Sequence, residues 1–269
     1  MTTIENSNAV KTYWENRLSK KWGLHGVGHI SYGRPYNEWL YRVRRRIFLR
    51  NLKLLPVRLH EANVLDIGSG TGFWLNTWQS LGVGTLVGSD MTRTAVRHLR
   101  TEHPHLEILE LDISDTAEVR DISSRFQLIS AFDVLYHIMG EDRFENAISN
   151  VARLLQPGGY FLFSDCFVHS GPMRSAHQVN RTLGRFSALL EANGLAIVSR
   201  FPMFVIMNTP IDSSTRIPQF IWRAAMVPVK WMPSLGHLYG AVLYPFEMML
   251  TKGMKESWST EFMICRKVT

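Results

Sequence analysis

The sequence is poor in cysteine, which excludes the fold classes that depend on it. Its 269 residues include only two cysteines, Cys166 and Cys265. These two residues have neither the spacing of a metal site nor the number that a disulfide framework requires. We therefore expect two buried thiols in a reducing compartment and no resident metal.

Long uninterrupted apolar runs are also absent. The N-terminal stretch contains Glu5 and several Asn and Ser residues where a secretory signal would be apolar, so we expect a cytoplasmic protein. The segment 231–251 has no Lys or Arg, but Pro233, Pro245 and Glu247 interrupt it. A spanning helix needs about 20 mostly apolar residues. Contact with a membrane surface, without spanning, stays open.

Positive charge exceeds negative charge, with a formal net charge of +7. Much of the excess lies within residues 37–58, where apolar residues at helical spacing and a capping Asn37 predict an amphipathic helix. Its expected outer face is basic: Arg42, Arg44, Arg45, Arg46, Arg50, Lys53 and Arg58. Such a face is either only solvated, or it attracts an anionic acceptor or anionic lipid. We expect no nucleic-acid partner, because no known nucleic-acid module accompanies it.

From residue 62 onward, short apolar runs alternate with amphipathic segments. The runs predict strands at 62–67, 85–89, 106–111, 126–132, 160–163, 195–207 and 261–268. The amphipathic segments predict helices at 73–81, 92–102, 115–124, 141–155 and 183–190. Strands that alternate with helices form a parallel sheet with both faces covered. The fold class is therefore α/β and doubly wound.

Two segments fall outside this alternation. We predict an N-terminal helical lid segment at 1–58, a core at 59–207 and 259–269, and an apolar helical insert at 208–258. Glycines and aromatic residues between 26 and 36, Tyr32 among them, are suited to close over a bound ligand. The Trp-rich and Met-rich insert is suited to cap an acceptor, or only to extend the core.

A glycine-rich loop is the strongest motif. Residues 64–72 read Val-Leu-Asp-Ile-Gly-Ser-Gly-Thr-Gly, an apolar strand that turns sharply before a helix. Glycines let the backbone approach a ligand closely, and the first N–H groups of a helix attract negative groups. Taken alone, this loop would accept NAD, FAD or another nucleotide. Phe73 stands where the dinucleotide fingerprint has its third glycine, which argues against NAD.

Three carboxylates at successive strand ends narrow the choice of ligand. Asp66 lies two residues before the first glycine, where it could pair with an amine. Asp90 ends the second strand, where a carboxylate can accept ribose hydroxyls. Asp112 ends the third strand and could accept an adenine amino group. Together the acids indicate a nucleoside that carries an amine.

These motifs resemble those of the class I S-adenosylmethionine-dependent methyltransferases. The matching segments are the glycine loop at 64–72, Gly-Ser-Asp-Met at 88–91, Leu-Asp-Ile at 111–113, Ala-Phe-Asp-Val-Leu-Tyr-His-Ile at 131–138 and Leu-Leu-Gln-Pro-Gly-Gly-Tyr-Phe-Leu-Phe at 154–163. The resemblance implies a Rossmann-like, mostly parallel seven-stranded sheet with an antiparallel last strand. It also implies S-adenosyl-L-methionine as cofactor and S-adenosyl-L-homocysteine as product.

The resemblance further implies which residues bind the cofactor. The methionine part would be held by Asp66 and the backbone of Gly68 and Gly70, with the backbone of Ala131 or Phe132 taking its amine.

The nucleoside part has its own implied residues. Asp90 would bind the ribose and Met91 would pack on the adenine, while Asp112 and Ile113 would recognise the adenine edge. Tyr32 could touch the cofactor carboxylate or the acceptor.

Methyl transfer to a hydroxyl requires removal of a proton, so a base is expected. His137 follows the fourth strand, at the edge where open α/β folds bind ligands, and it is the candidate general base. A purely structural or acceptor-contacting role for His137 stays open. Asp165, His169 and His177 are further candidates.

The predicted activity is methylation of a small acceptor, such as a natural product, a glycan-like or a lipid-like metabolite of secondary metabolism. An anionic and an amphipathic acceptor both stay open. Oxygen is the atom of the acceptor that we expect to be methylated. N- or C-methylation, and cofactor binding without methyl transfer, stay as alternatives. A nucleic-acid acceptor is disfavoured because residues 131–134, Ala-Phe-Asp-Val, differ from the Asn/Asp-Pro-Pro-Tyr/Phe motif of many enzymes that methylate amino groups on nucleic acid. The oligomeric state is left open.

Overall fold

Seven of nine strands form one sheet in the computed structural model, which describes residues 3–268, with side chains from residue 9 onward. The strands are β1 (Asn63–Ile67), β2 (Thr85–Asp90), β3 (Glu107–Glu110), β4 (Phe126–Phe132), β5 (Leu155–Asp165), β6 (Met173–Arg174), β7 (Val179–Asn180), β8 (Leu195–Pro202) and β9 (Glu261–Lys267). The large sheet has the order β3-β2-β1-β4-β5-β9-β8, and β6 pairs only with β7.

Only β9 runs antiparallel to its neighbours in the large sheet. The other pairings are parallel. The predicted fold class, a mostly parallel seven-stranded sheet with an antiparallel last strand, is confirmed.

The helices cover both faces of this sheet. They are α1 (Thr3–Lys20), α2 (Leu24–Val27), α3 (Gly33–Leu52), α4 (Phe73–Ser80), α5 (Arg93–Glu102), α6 (Thr116–Arg120), α7 (Glu141–Leu154), α8 (Leu183–Ala192), α9 (Ile217–Ala225), α10 (Val227–Trp231) and α11 (Gly236–Gly253). Neighbouring strand residues point to opposite faces of the sheet. Val64 packs in the core on the face covered by α3, α4 and α5. Leu65 packs in the core on the other face, which is covered by α6, α7 and α8. No helix among residues 3–268 is long and apolar enough to cross a membrane.

The sixth strand of the sheet is shorter than predicted. The prediction of a strand over 195–207 is wrong beyond Pro202, because the ladder stops there: the N–H groups of Met203 and Phe204 both donate to the carbonyl of Thr260, and the next three donate to a side chain. The N–H groups of Val205, Ile206 and Met207 donate to the carboxylate of Glu247 at 2.7, 2.8 and 3.2 Å. This buried carboxylate therefore holds α11 against the segment that follows the strand.

The basic helix differs from the prediction in its bounds, since it ends at Leu52 and leaves Lys53 and Arg58 outside, and in the positions of Asn37 and Arg44. It begins at Gly33, so Asn37 does not cap it but lies buried in its second turn, where its amide nitrogen donates to the carbonyls of His29 and Gly33. Arg44 is not on the outer face, because its guanidinium is buried and pairs with Asp133 at 2.8 Å. Arg42, Arg45 and Arg46 are exposed, as expected.

We expect Glu247→Ala to lower the free energy of unfolding by about 3 kcal/mol or more, because it leaves three buried N–H groups without an acceptor. Urea denaturation measures the change. Glu191→Ala, on the exposed surface of α8, is the matched control and should stay within about 0.5 kcal/mol of the wild type. Equal stabilities of the two variants would contradict the assigned role of Glu247.

Candidate active site

A cavity opens at the carboxyl ends of β1, β2, β3 and β4, with an empty volume of about 1100 Å³ that is partly open to solvent. Its wall combines the loop after β1, the first residues after β2 and β3, the segment after β4, and α1. Ligands of open α/β sheets bind at this edge.

The glycine loop forms the floor of the cavity in a conformation that favours glycine. Gly68, Gly70 and Gly72 have φ angles of 68°, 54° and 79°. A Cβ atom on Gly68 would lie 2.4 Å from a methyl group of Val134. Both the positive φ and the close approach therefore require glycine at position 68.

Asp66 lies behind this loop rather than in the cavity wall. Its carboxylate is fully buried and accepts hydrogen bonds from the hydroxyls of Ser130 at 2.6 Å and Ser69 at 2.9 Å. Burial raises the pKa of Asp66 to about 7, although both hydroxyls favour its ionised form. The side chain thus ties the loop to β4.

Asp90 bonds to the loop from the other side while it faces the cavity. One carboxylate oxygen accepts the Gly70 N–H at 2.9 Å, and the other accepts the N–H and hydroxyl of Thr92 at 2.9 and 2.7 Å. Burial raises the pKa of Asp90, and these three hydrogen bonds oppose the shift. A carboxylate has about four acceptor positions, so Asp90 retains one for a ligand.

The third acid, Asp112, forms the next part of the wall. It pairs with Arg143 at 2.6 Å and accepts the Ser114 N–H at 3.0 Å. Met91 and Ile113 add apolar surface beside it. This combination of carboxylates and flat apolar walls suits the edges and faces of a nucleoside.

Thr71 supplies a further polar group. Its hydroxyl oxygen is buried in the cavity wall and has no hydrogen-bond partner among the described residues. Buried polar groups are nearly always hydrogen-bonded, so an unpaired hydroxyl at this position suits a ligand.

The lid of this cavity is α1. Val10, Trp14 and Leu18, at helical spacing of four, line the wall. The Glu15 carboxylate accepts the Thr94 N–H at 3.1 Å, which fastens α1 to the start of α5. A helical lid segment was predicted at 1–58, with closure expected from residues 26–36. Val10, Trp14 and Leu18 were not named from the sequence, although their spacing was a usable signal.

The segment 26–36 instead packs mainly on α3. Of this segment, Val27 reaches the cavity wall. Tyr32 lies outside the wall, where its ring makes edge contacts with Tyr36 and Trp222, both at 5.8 Å between centroids. The position of the Tyr32 ring therefore does not support the expected contact with the cofactor.

His137 lies in the cavity wall after β4. Its Nδ1 is 2.9 Å from the carbonyl oxygen of His177. A carbonyl only accepts, so Nδ1 carries the proton and Nε2 keeps a free lone pair. Burial lowers the pKa of His137 to about 4, although the bond to His177 opposes this shift, and the ring is therefore neutral at pH 7.

Asp133 is a site residue that the sequence analysis did not single out. It is the one non-glycine residue with a positive φ, 60°, among residues 3–268, and it lines the cavity. Its carboxylate accepts from Arg44 and from the Ser164 hydroxyl at 3.0 Å, while its N–H donates to the same hydroxyl at 2.9 Å. Strained backbone of this kind is concentrated at functional sites.

Comparison with known proteins identifies the family. A model of the methyltransferase domain matches residues 36–202. The chain belongs to this family. The predicted S-adenosylmethionine-dependent methyltransferase is thereby confirmed at the level of the family.

Solved structures of the same fold are similar to this methyltransferase. Magnesium protoporphyrin IX methyltransferase from Synechocystis PCC 6803, with bound SAM, is 12% identical over 97% of both chains, with a TM-score of 0.57. The N-methyltransferase NodS from Bradyrhizobium japonicum WM9, in complex with S-adenosyl-L-homocysteine, is 16% identical over 86% of this chain and 88% of that one, with a TM-score of 0.53.

A structure with a different named activity also matches. The [4+2]-cyclase SpnF is 16% identical over 83% of this chain and 80% of that one, with a TM-score of 0.52. At these identities the structures show the fold alone. A search of curated protein sequences finds no match.

The fold of the methyltransferase brings most of the predicted site residues to one cavity. Those in its wall are Gly68, Gly70, Asp90, Met91, Asp112, Ile113, Phe132 and His137. Asp66 and Ala131 are fully buried outside the wall. The individual roles of all these residues stay predictions.

The other three candidates for proton transfer, Asp165, His169 and His177, do not line the cavity. Asp165 is fully buried and accepts the Cys166 N–H, and His169 is exposed and pairs with Asp212, so neither reaches the cavity. His177 stacks on His137 with 5.8 Å between ring centroids. Among the described residues, no group of three or more His, Cys, Asp or Glu is placed to hold a metal ion.

We expect Asp90→Asn to weaken binding of S-adenosyl-L-homocysteine by about 10- to 100-fold, because hydrogen bonds to a charged group are worth about 1.5–3 kcal/mol. Isothermal titration calorimetry measures the affinity. Asp121→Asn, at an exposed position after α6, is the matched control. If both variants bind like the wild type, Asp90 does not hold the ribose.

Proposed function

We propose that this methyltransferase methylates an oxygen atom of a small apolar or amphipathic acceptor, with His137 as the general base. The observation that carries this proposal is the free Nε2 of a neutral histidine in the wall of the cavity that also contains Asp90 and Asp112.

The cavity wall fits the cofactor. The backbone of Gly68 and Gly70 would hold the methionine part, and Asp90 the ribose. Asp112, with Ile113, would take the adenine edge. When bound, S-adenosylmethionine supplies a methyl group made electrophilic by its sulfonium.

The remaining wall indicates the chemistry of the acceptor. Val10, Trp14 and Leu18 from α1, together with Ile138 and Met139, present apolar surface to the cavity. Apolar walls with few polar groups bind molecules that are themselves mostly apolar. This supports a natural product or lipid-like metabolite more than a glycan-like acceptor.

Besides His137, a charged residue lies next to this apolar surface. Asp133 faces the cavity and its charge is balanced by the buried Arg44. The pair can orient one polar group of an acceptor without leaving an uncompensated charge.

The buried base favours oxygen over nitrogen as the methylated atom. An alcohol keeps its proton near neutral pH and is a weak nucleophile until a base accepts that proton during the reaction. A neutral amine already has a lone pair for attack and can release its proton afterwards. His137 is neutral, so its Nε2 can accept the proton of the acceptor hydroxyl, and its ring lies 4.9 Å from that of Trp14. The lowered pKa makes the ring a weaker base than an exposed histidine, so the proton moves only as the methyl group is transferred.

A panel of acceptors tests the proposal. Phenols, long-chain alcohols and their matched amines are incubated with methyl-labelled S-adenosylmethionine, and labelled products are counted. We expect products from hydroxyl compounds. Transfer to amines alone would overturn O-methylation. S-adenosyl-L-homocysteine binding without any transfer across the panel would favour a cofactor-binding protein, and tight NAD binding in its place would overturn the cofactor assignment.

We expect His137→Ala to slow turnover of the best acceptor by roughly 10²- to 10⁴-fold, the usual contribution of a general base. Affinity for S-adenosyl-L-homocysteine should stay the same, since the base acts on the acceptor. His60→Ala, at an exposed position, is the matched control. A variant as fast as this control would show that His137 is not the base.

The depressed pKa also predicts how His137 titrates. Because burial lowers its pKa to about 4, the ring should remain neutral from about pH 5 to 8, where an exposed histidine becomes protonated as the pH falls. NMR of the imidazole C–H protons, assigned by comparison with His137→Gln, measures the midpoint. A midpoint near 6.5 would contradict the buried, neutral ring.

A further inference from the structure

The helix α11 carries apolar residues on its outer side as well as on its inner side, where Tyr239, Leu243, Tyr244 and Met248 pack against the core. Its buried positions are Gly236, Gly240, Glu247 and Thr251. Its large exposed apolar residues are Leu238, Val242, Phe246 and Met249, which follow one another at helical spacing. A surface helix of a globular protein has one apolar stripe, which faces the core, so the outer stripe of α11 is additional.

This orientation is fixed by the contacts of the inner side. A Cβ on Gly240 would lie 2.1 Å from the ring of Trp39, so no larger residue fits between α11 and α3. Glu247 is held by three backbone N–H groups. The helix therefore cannot rotate its apolar stripe into the core without losing these contacts.

The preceding helices expose apolar residues in the same way. On α9 the exposed residues are Ile217, Phe220 and Ile221, with Phe220 73% exposed. Trp231, at the end of α10, is 84% exposed, and Met232 follows it. Contacts run from α9 to α10, then to the turn 233–235, and on to α11. We call the exposed apolar residues of α9, α10 and α11 the insert face.

The exposed charge around the insert face is mostly positive, and the exposed acid that follows this stretch, Glu256, is paired with Arg200. Between residues 216 and 255 the exposed charged residues are Arg216, Arg223, Lys230, Lys252 and Lys255. Glu247, the acid of this stretch, is fully buried. On the neighbouring α3, Arg42 lies over the ring of Trp39 at 4.2 Å, which adds a further exposed cation. An anionic partner complements this surface.

We propose that the insert face docks on an anionic lipid bilayer, with the helices lying in the interface. Large exposed apolar patches mark interaction surfaces, and aromatic residues with basic neighbours are typical of helices that lie in a membrane interface. Trp and Lys combine an apolar body with a polar end, which suits the boundary between headgroups and acyl chains.

A second copy of the chain fits this surface less well. In a two-fold dimer the same patch meets itself. The cations around the insert face would then oppose cations, with no exposed acid between 216 and 255 to pair with them. An anionic bilayer removes this repulsion.

Co-sedimentation with vesicles tests the proposal on the full chain. We expect binding to equimolar phosphatidylcholine and phosphatidylglycerol, and much weaker binding to phosphatidylcholine alone. High salt should weaken the first, since it screens exposed charges. The Arg223→Gln and Lys230→Gln double variant should bind about 30-fold more weakly, as each cation contributes about fivefold. Arg97→Gln with Arg120→Gln, two exposed cations elsewhere, is the matched control.

The apolar contribution is tested separately. Trp231→Ser and Phe220→Ser should each weaken vesicle binding roughly tenfold or more. Each change removes a large apolar side chain that the bilayer would otherwise bury. Leu54→Ser, at a position 66% exposed outside the insert, should bind like the wild type. Calorimetry with S-adenosyl-L-homocysteine checks that all variants keep the folded site.

Two results would overturn the proposal. One is equal vesicle binding by the insert-face variants and their controls. The other is an absence of vesicle binding combined with a wild-type dimer, seen by light scattering, that Trp231→Ser and Phe220→Ser convert to a monomer. That second result would assign the insert face to a second copy of the chain.

Discussion

The buried carboxylate of Asp66 is the interaction on which the site depends. It joins the end of β1 to the glycine loop through Ser69 and to β4 through Ser130. Asp90 repeats this arrangement from β2, since it accepts the Gly70 N–H. The loop is therefore held on both sides by acids that belong to the sheet. A rigid loop at the carboxyl ends of the strands can present backbone groups to a ligand without first being ordered.

The opposite wall of the cavity depends on a different pair. Arg44 of α3 reaches Asp133 after β4, and both charges are shielded from water more than a surface pair would be. Breaking such a pair leaves an uncompensated charge, which is strongly destabilising. This contact links the N-terminal segment to the sheet, so that α3 supports both the part of the cavity wall around Asp133 and the helix α11.

The N-terminal segment and the insert at 208–258, which lie outside the alternating core, are placed differently with respect to the cavity. The N-terminal α1 closes the cavity with apolar side chains, whereas the wall contains no described residue from 208–258. The predicted division of the chain at 58 and 208, and the role of the insert as an acceptor cap, stay predictions. The arrangement separates catalysis from docking: one added segment covers the site and the other presents an apolar, basic face to the outside.

The sequence alone determined the core of the fold and the composition of its ligand edge. Apolar runs between amphipathic segments, and glycines followed by acids at strand ends, are local patterns with a direct physical meaning, so β1 to β5 and the acids Asp90 and Asp112 could be placed without coordinates. Only the tertiary structure decided that Arg44 turns inward to Asp133, that Glu247 binds the backbone after the sixth strand of the sheet, and that α1 is the part of the N-terminal segment that lines the cavity. Each of these depends on a contact between residues at least 40 positions apart, up to 89 for Arg44 and Asp133, and neither the hydrophobic period nor the charge pattern of a short segment carries that information.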